Sequence, residues 1–473
     1  MSTEYFRSAA FDLDRLQTLR AHLQGQALVP GDEGYDKACL TWNARTFEQH
    51  PAIIVLPAVP ADVSVAVIFA REYELPVAVQ GGGHGHPHAA DGALLVNFMH
   101  MTSVQINVEN ATARVEAGVR TGDVVQAAHL YGLAPLNGLA SSVGFVGYLL
   151  GGGVGWLTRQ YGLGASSIRS VELVTATGDL LQVNEKSYPD LFWGLRGSGG
   201  NFGIVTSLEC SLYPVREIFG GQVVYPIARG KEVLDTYLQW VKTVPDELTS
   251  VVRIMHFPAL PAVPPALRGM STIICMASYN GREDEGAALM QPMRTLGEPL
   301  LDTFAWLPYS QVATISNDPS EAPPLFFHVE SGALRELTQS DVTTIVDLAG
   351  DPTSGVRLVE MRQLGGAFAR QQESIMPSGT YYATLHLSMM AAAPTVDQLD
   401  AGRRAVATMM EALRPGMTGE VLLNLAGSHA SPEQARAAYS PESYRRLVTL
   451  KDRYDPKNMF RFNYNIIPSS FGR

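Results

Sequence analysis

At 473 residues the chain is longer than one hydrophobic core usually organises, so two domains are expected. Its 46% hydrophobic and 17% charged residues describe an ordinary globular protein, neither disordered nor fibrous. Thirty-five Lys and Arg against 46 Asp and Glu give a net charge of −11, and no basic run stands out, which argues against nucleic acid or an anionic membrane as the main partner.

The N-terminal MSTEYFRSAAFDLDRL has charges where an export signal needs an apolar run, and no stretch of 18 uncharged apolar residues follows, so a cytoplasmic protein is expected. Three distant cysteines, Cys39, Cys210 and Cys275, include no C-x-x-C pair, and neither a disulfide framework nor a cysteine-based metal site is expected.

From 51 to 120 the chain reads as strand (IIVLP), helix (DVSVAVIFAREYELP), strand (VAVQ), glycine-rich loop and strand (ALLVNF). Glycines directly after a strand let backbone approach a ligand, because no Cβ intervenes. Here Gly81, Gly82 and Gly83 can turn successive N–H groups toward a pyrophosphate, with the His84 imidazole beside them. His84, His86 and His88 also form H-x-H-x-H, a metal-site pattern on a regular strand, but glycines and Pro87 interrupt any strand there and no metal is expected.

Between 121 and 214 glycines fall in blocks, GLASSVGFVGYLLGGGVGWL at 138 to 157 and RGSGGNFGIVTSLE at 196 to 209. Neither matches G-x-G-x-x-G or G-x-x-x-x-G-K-[ST], so Rossmann and P-loop sites lose their support. Close helix-to-sheet packing would need the same glycines. After Pro214 strand-like segments take over (GGQVVYPIA, TIICMASYN, VRLVEMRQL, TYYATLHLSMM), separated by helices such as KEVLDTYLQWVKTV and by proline-rich loops. Alternation puts Glu360 with Arg362 on one face, and Tyr382, Thr384 and His386 on another. Such a polar face either meets water or lines a site. The tail closes with a helix (PESYRRLVTLKDRYDP) and NMFRFNYNIIP.

Four blocks in this order, QGGGH, SSVGFVGYLLGGGVGWL, LFWGLRGSGGNFGIVTS and YRRLVTLKDRYDPKNMFRFNYNIIP, resemble the berberine-bridge-enzyme-like branch of the vanillyl-alcohol-oxidase superfamily. The resemblance implies an α+β fold: a PCMH-type FAD-binding domain of two α/β subdomains, and a substrate domain with an antiparallel sheet flanked by helices. The expected boundaries are 1–214 and 432–473 for the FAD-binding domain and 215–431 for the substrate domain.

By the same resemblance His84 carries FAD covalently. Ala140 stands where many members place a second, cysteinyl link, so attachment through His84 only is expected, and Gln80 replaces the family's usual basic residue. The implied cofactor contacts are Gln80, Gly81, Gly82, Gly83 and Gly85; Ser141, Ser142, Val143, Gly144, Gly147, Gly151 and Gly152; Gly200, Asn201, Gly203, Ile204 and Val205; and Tyr464 with Asn465. For the catalytic base Tyr464 leads and Glu360 follows, with Tyr148 and His386 as further candidates. A tyrosine needs a neighbouring cation or tyrosine to act as a base.

The expected activity is hydride transfer from a C–H bond of an alcohol, sugar or natural product to FAD, with O2 reduced to H2O2. Oxidative cyclisation or oxygenation on the same fold, and flavin binding without turnover, are the alternatives. The loops at 257 to 266 and 308 to 328, rich in Pro, Phe and Tyr, are candidates for contact with a large, partly apolar substrate.

Overall fold

The computed structural model describes residues 13–85, 88–261, 263–379, 381–427 and 431–471. His86 and the first twelve residues, on which the metal pattern and the export reading partly fall, lie outside them. Three sheets carry the architecture.

The first sheet has the strand order Gln26–Leu28, Ile53–Leu56, Leu94–Asn97, Val77–Gln80, with the last three parallel. Its central strands are buried on both faces, which is why IIVL and LLVN read as unbroken apolar runs. The helix Pro60–Glu72 makes the crossover between parallel strands and buries Val63, Ala66, Val67 and Ala70 against them. The second sheet is antiparallel, in the order Val104–Asn107, Thr112–Glu116, Ile204–Ser211, Ile168–Val174, Leu180–Asn184.

The third sheet is eight-stranded and wholly antiparallel, and all its strands fall between Glu217 and Ala393. The helices Gly230–Trp240, Gln339–Gly350 and Val396–Leu413 cover one face, over Val252, Ile254, Val359, Met361, Leu387 and Met389. The opposite face meets the glycine-rich region: Leu139, Trp156 and Leu157 share a core with Val224, Val251, Ile274, Met276 and Tyr309. That seam places the 138–157 glycines beside the sheet.

The C-terminal helix Pro441–Tyr454 returns to the first half of the chain. Leu447 and Leu450 enter the core of the second sheet, and Met459 and Phe460 that of the first. One expected alternation fails, because the strand holding His386 begins only at Leu385. The N–H groups of Tyr382 and Ala383 are drawn instead to the Glu420 carboxylate (2.6 and 2.9 Å), leaving Tyr382 71% exposed while His386 is buried.

Candidate active site

His84 sits where two glycine loops meet. Cβ atoms added at Gly82 and Gly144 would lie 2.3 Å from the Gly144 nitrogen and 2.5 Å from the Gly82 nitrogen, so only glycine lets these backbones touch. Arg120, next to the helix Thr121–His129, fastens the junction through Nη1, which donates to the carbonyls of Gly82 and Ser142. Gly81 is equally close-packed, its added Cβ 2.6 Å from the Ala117 carbonyl, and Gly83 has φ +69°.

The imidazole is held on two sides. Trp42 stacks on it with ring centroids 4.3 Å apart and planes 21° from parallel, and Ser142 Oγ lies 2.9 Å from its Nε2. Nδ1 is then the ring nitrogen without a partner among the described residues. Burial, reinforced by the Arg120 charge and opposed by Asp318, lowers its pKa to about 4, so His84 is an uncharged imidazole at neutral pH. Beside it a cavity of about 340 Å³ is bounded by Trp42, Gln80, Gly82, Arg120, Ser142 and Ser320, among others. Gln80 reaches this wall, but its amide is engaged by Gln49 Nε2 (3.0 Å) and the Leu40 carbonyl (2.9 Å), bracing the 40–49 segment.

The other glycine blocks divide into two kinds. Gly85, Gly147, Gly152, Gly199 and Gly200 have open space where a Cβ would stand, the shape expected where a large planar cofactor lies against backbone. Gly151 by contrast abuts Asn424, whose Nδ2 donates to the Tyr148 carbonyl at 2.7 Å. Gly203, Ile204 and Val205, expected at the cofactor, enter the centre of the second sheet. Ile204 and Val205 send their side chains into two different cores, and a Cβ on Gly203 would meet the Val174 carbonyl at 2.6 Å, so packing accounts for these three. Val143 packs on a core, whereas Ser141 is exposed and accepts from the Gly122 N–H (2.9 Å).

Asn201 joins its loop to the tail. Its Nδ2 donates to the Tyr464 carbonyl (3.1 Å), and its Oδ1 accepts from the Ile466 N–H (2.9 Å). Lys451, fully buried, completes this joint by donating to the Asn201 carbonyl (2.9 Å), the Phe460 carbonyl (3.0 Å) and Asp455 Oδ2 (2.7 Å). Tyr464 and Asn465 are thereby fixed next to the open glycines, and Asn465 Oδ1 is buried without a partner. Burial alone lifts the Tyr464 pKa to about 12, with no cation among the described residues to oppose it.

On the sheet, Glu360 is locked rather than free. Its Oε2 accepts from Arg253 Nε (2.6 Å) and its Oε1 from Arg362 Nε (2.5 Å), while Arg253 also grips Asp318 (2.8 Å). Burial works to raise the Glu360 pKa, but the charges and hydrogen bonds of Arg362 and Arg253 overcome it and bring it to about 2. The clamp weighs against Glu360 as the base, because a carboxylate held by two guanidinium groups is ionised but weakly basic. His386 faces the same cluster; burial and then Arg362 lower its pKa to about 3. Tyr148 is buried with its hydroxyl unpartnered and its ring enclosed by Gly138, Gly153 and Gly164; burial raises its pKa, against the pull of Arg362. Arg362 therefore acts electrostatically on Tyr148, while among the described residues no cation acts so on Tyr464.

Trp42, Arg120, Arg253, Asp318 and Lys451 were not singled out from the sequence. Arg253, alone in the apolar strand Leu248–His256, and the i,i+4 pair Lys451 and Asp455 carried signals that could have found two of them. The loop at 308 to 328 does reach the site, supplying Asp318 to Arg253 and the Ser320 carbonyl to Trp42 Nε1 (3.2 Å). Among the described residues no cluster of His, Cys, Asp and Glu could hold a metal ion, and no helix is long and apolar enough to cross a membrane.

Two family models match the chain, FAD binding domain over residues 51–184 and Berberine and berberine like over residues 425–467. The (R)-6-hydroxynicotine oxidase of Paenarthrobacter nicotinovorans is 30% identical over 461 residues, 94% of this chain and 97% of that one. An FAD-linked oxidoreductase of Dictyostelium discoideum is 28% identical over 452 residues, 94% and 95% of the two chains. Among solved structures, 6-hydroxy-D-nicotine oxidase from Arthrobacter nicotinovorans superposes with a TM-score of 0.82 at 28% identity, covering 94% of this chain and 98% of its own. Glucooligosaccharide oxidase from Acremonium strictum, whose FAD is described as 6-S-cysteinyl, 8α-N1-histidyl, shares the fold (TM-score 0.81, 21% identity, 96% and 99% coverage).

Proposed function

Because the chain belongs to the berberine-bridge-enzyme-like FAD-linked oxidoreductases, we propose that it is an oxidase that takes a hydride from a C–H bond of a small alcohol, sugar or natural-product substrate and holds FAD through His84 only. One observation carries the reading. An uncharged imidazole, fixed at the meeting point of two glycine loops, has one unengaged ring nitrogen, and the Trp42 and Ser142 that fix it line the cavity. Bound FAD would supply the two-electron acceptor, with O2 taking the electrons onward as H2O2.

The chain's own residues do the rest. Trp42 and Ser142 orient the His84 ring, and its lowered pKa keeps it unprotonated and nucleophilic. Ala140 offers a methyl group where a thioether would need sulfur, so attachment stops at one residue. The site-facing side of the third sheet receives the substrate opposite the glycine loops. Glu360 acts there as a fixed charge that sets the positions of Arg253 and Arg362. Tyr464, held by Asn201 and Lys451, takes the substrate's proton at its hydroxyl oxygen only through its small ionised fraction, because burial lifts its pKa to about 12.

The purified protein should be yellow, with flavin that remains on the polypeptide after acid precipitation. His84→Ala should leave all of it releasable. A variant that keeps its flavin bonded would show that another side chain makes the link. A substrate that bleaches the flavin anaerobically and gives stoichiometric H2O2 in air establishes the oxidase; oxygen in the product without peroxide would establish an oxygenase instead.

A further inference from the structure

The site-facing side of the third sheet holds more hydrogen-bonding capacity than the protein itself uses. Arg253 is spent: Nε goes to Glu360, Nη1 to the Ser316 carbonyl and Asp318, and Nη2 to Asp318. Arg362 differs. Its Nε donates to Glu360, and its two Nη groups have no partner among the described residues, on a side chain that is still 16% exposed. Two further unspent groups lie within reach of its charge, the Tyr148 hydroxyl and His386 Nδ1, both buried without partners.

On the same face the row next to Arg362 is Arg253, Glu360, Ser388 and Ser331, and the row beyond that one is apolar. Met255 pairs with Leu358, Leu358 with Met390, and Met390 with Val329, all half-buried and on the side away from the covering helices. A ligand lying on this wall and extending across the Arg253–Glu360 row meets the Arg362 guanidinium edge at its far end. The acids of the cluster offer no matching welcome to a cation, because Glu360 is shared by two guanidinium groups and both oxygens of Asp318 face Arg253.

We infer that Arg362, with the Tyr148 hydroxyl beside it, anchors a carboxylate on the substrate, and that the substrate class is an apolar or aromatic acid rather than an amine. The two Nη groups form the planar fork that matches both oxygens of a carboxylate, and Tyr148 adds a third donor. This rests on reading that face as the substrate side of the flavin site.

The test is calorimetric titration of the protein as purified with 3-phenylpropionate, its primary amide and 3-phenylpropylamine, which reads binding whether or not flavin turns over. The acid should bind at least about tenfold more tightly than either neighbour. Arg362→Met should weaken acid binding about 10- to 100-fold while leaving the amide nearly unchanged, and Arg362→Lys should restore part of the loss. Tyr148→Phe should weaken the acid by a smaller factor. Absence of acid binding, equal binding of the amide or amine, or wild-type affinity in both Arg362 variants would each overturn the inference. Should Arg362→Met not fold, the wild-type panel and Arg362→Lys still decide. A yellow, turning-over protein without acid preference sinks the carboxylate anchor alone, whereas a colourless protein sinks the flavin reading and leaves the titration to stand by itself.

Discussion

Replacing Lys451 by Met tests the joint that carries the C-terminal segment to the site. The ammonium and the Asp455 carboxylate are both fully buried, and Lys451 satisfies three acceptors at 2.7 to 3.0 Å. Asp455 in turn receives the Met459 and Phe460 N–H groups (2.7 and 2.9 Å), so losing the lysine leaves a buried carboxylate with no counter-charge and the Asn201 carbonyl unpaired, while the Phe460 carbonyl keeps Asn463 Nδ2 at 3.3 Å. Breaking one side of a buried pair costs about 3–5 kcal/mol. With an unfolding entropy of about 2.1 cal/mol/K per residue over a chain of this size, that lowers the apparent melting midpoint by about 3–5 °C. Tyr464 and Asn465 should loosen at the same time, so bound flavin should become more accessible to solvent and its fluorescence should rise. Differential scanning calorimetry with flavin fluorescence reads both effects. Lys451→Met/Asp455→Asn, which removes both charges, should melt higher than Lys451→Met alone. If the single variant melts and fluoresces like the wild type, the joint does not hold the tail and the reasoning fails.

Three further outcomes follow from the same geometry. His84, with its pKa lowered to about 4, stays unprotonated at pH values where a free histidine is charging near 6.5, so covalent incorporation of FAD into apoprotein should be level from about pH 5 to 7.5; a yield that halves near pH 6.5 would mean the ring is not shielded. Gly82→Ala places a methyl 2.3 Å from the Gly144 nitrogen and should cost about 1–3 kcal/mol and most of the bound flavin, measured by melting and the absorbance ratio of flavin to protein. If the Tyr464 phenolate accepts the proton, a pKa of about 12 makes the fraction ionised, and so kcat, rise about tenfold per pH unit across the neutral range. A flat profile, or Tyr464→Phe within about threefold of wild type when loss of a general base costs about 100-fold or more, would remove it from that role.

Some of this chemistry stood in the sequence because it depends on local geometry. Glycines after the strand Val77–Gln80 announce a backbone approach whatever surrounds them, and the histidine that follows cannot move away from it. The buried parallel strands, the alternating strands after Pro214 and the C-terminal helix are legible for the same reason, since period and apolar runs are properties of neighbours along the chain. The choice between core and cofactor glycines was not legible. Gly200 and Gly203 belong to one block, yet one faces open space and the other a carbonyl.

Charge partners were decided only by the fold. Glu360 and Arg253 are 107 residues apart, and nothing along the chain shows that two guanidinium groups clamp one carboxylate; a pKa belongs to the environment that folding builds. The stacking of Trp42 on His84, the electrostatic pull of Arg362 on Tyr148 and the lack of such a pull on Tyr464 among the described residues depend equally on segments distant in sequence. The sequence determined which backbone could come close to a cofactor and where an imidazole would stand beside it. The tertiary structure decided which side chains remain chemically free, because freedom there means having no partner, and partners come from everywhere in the chain.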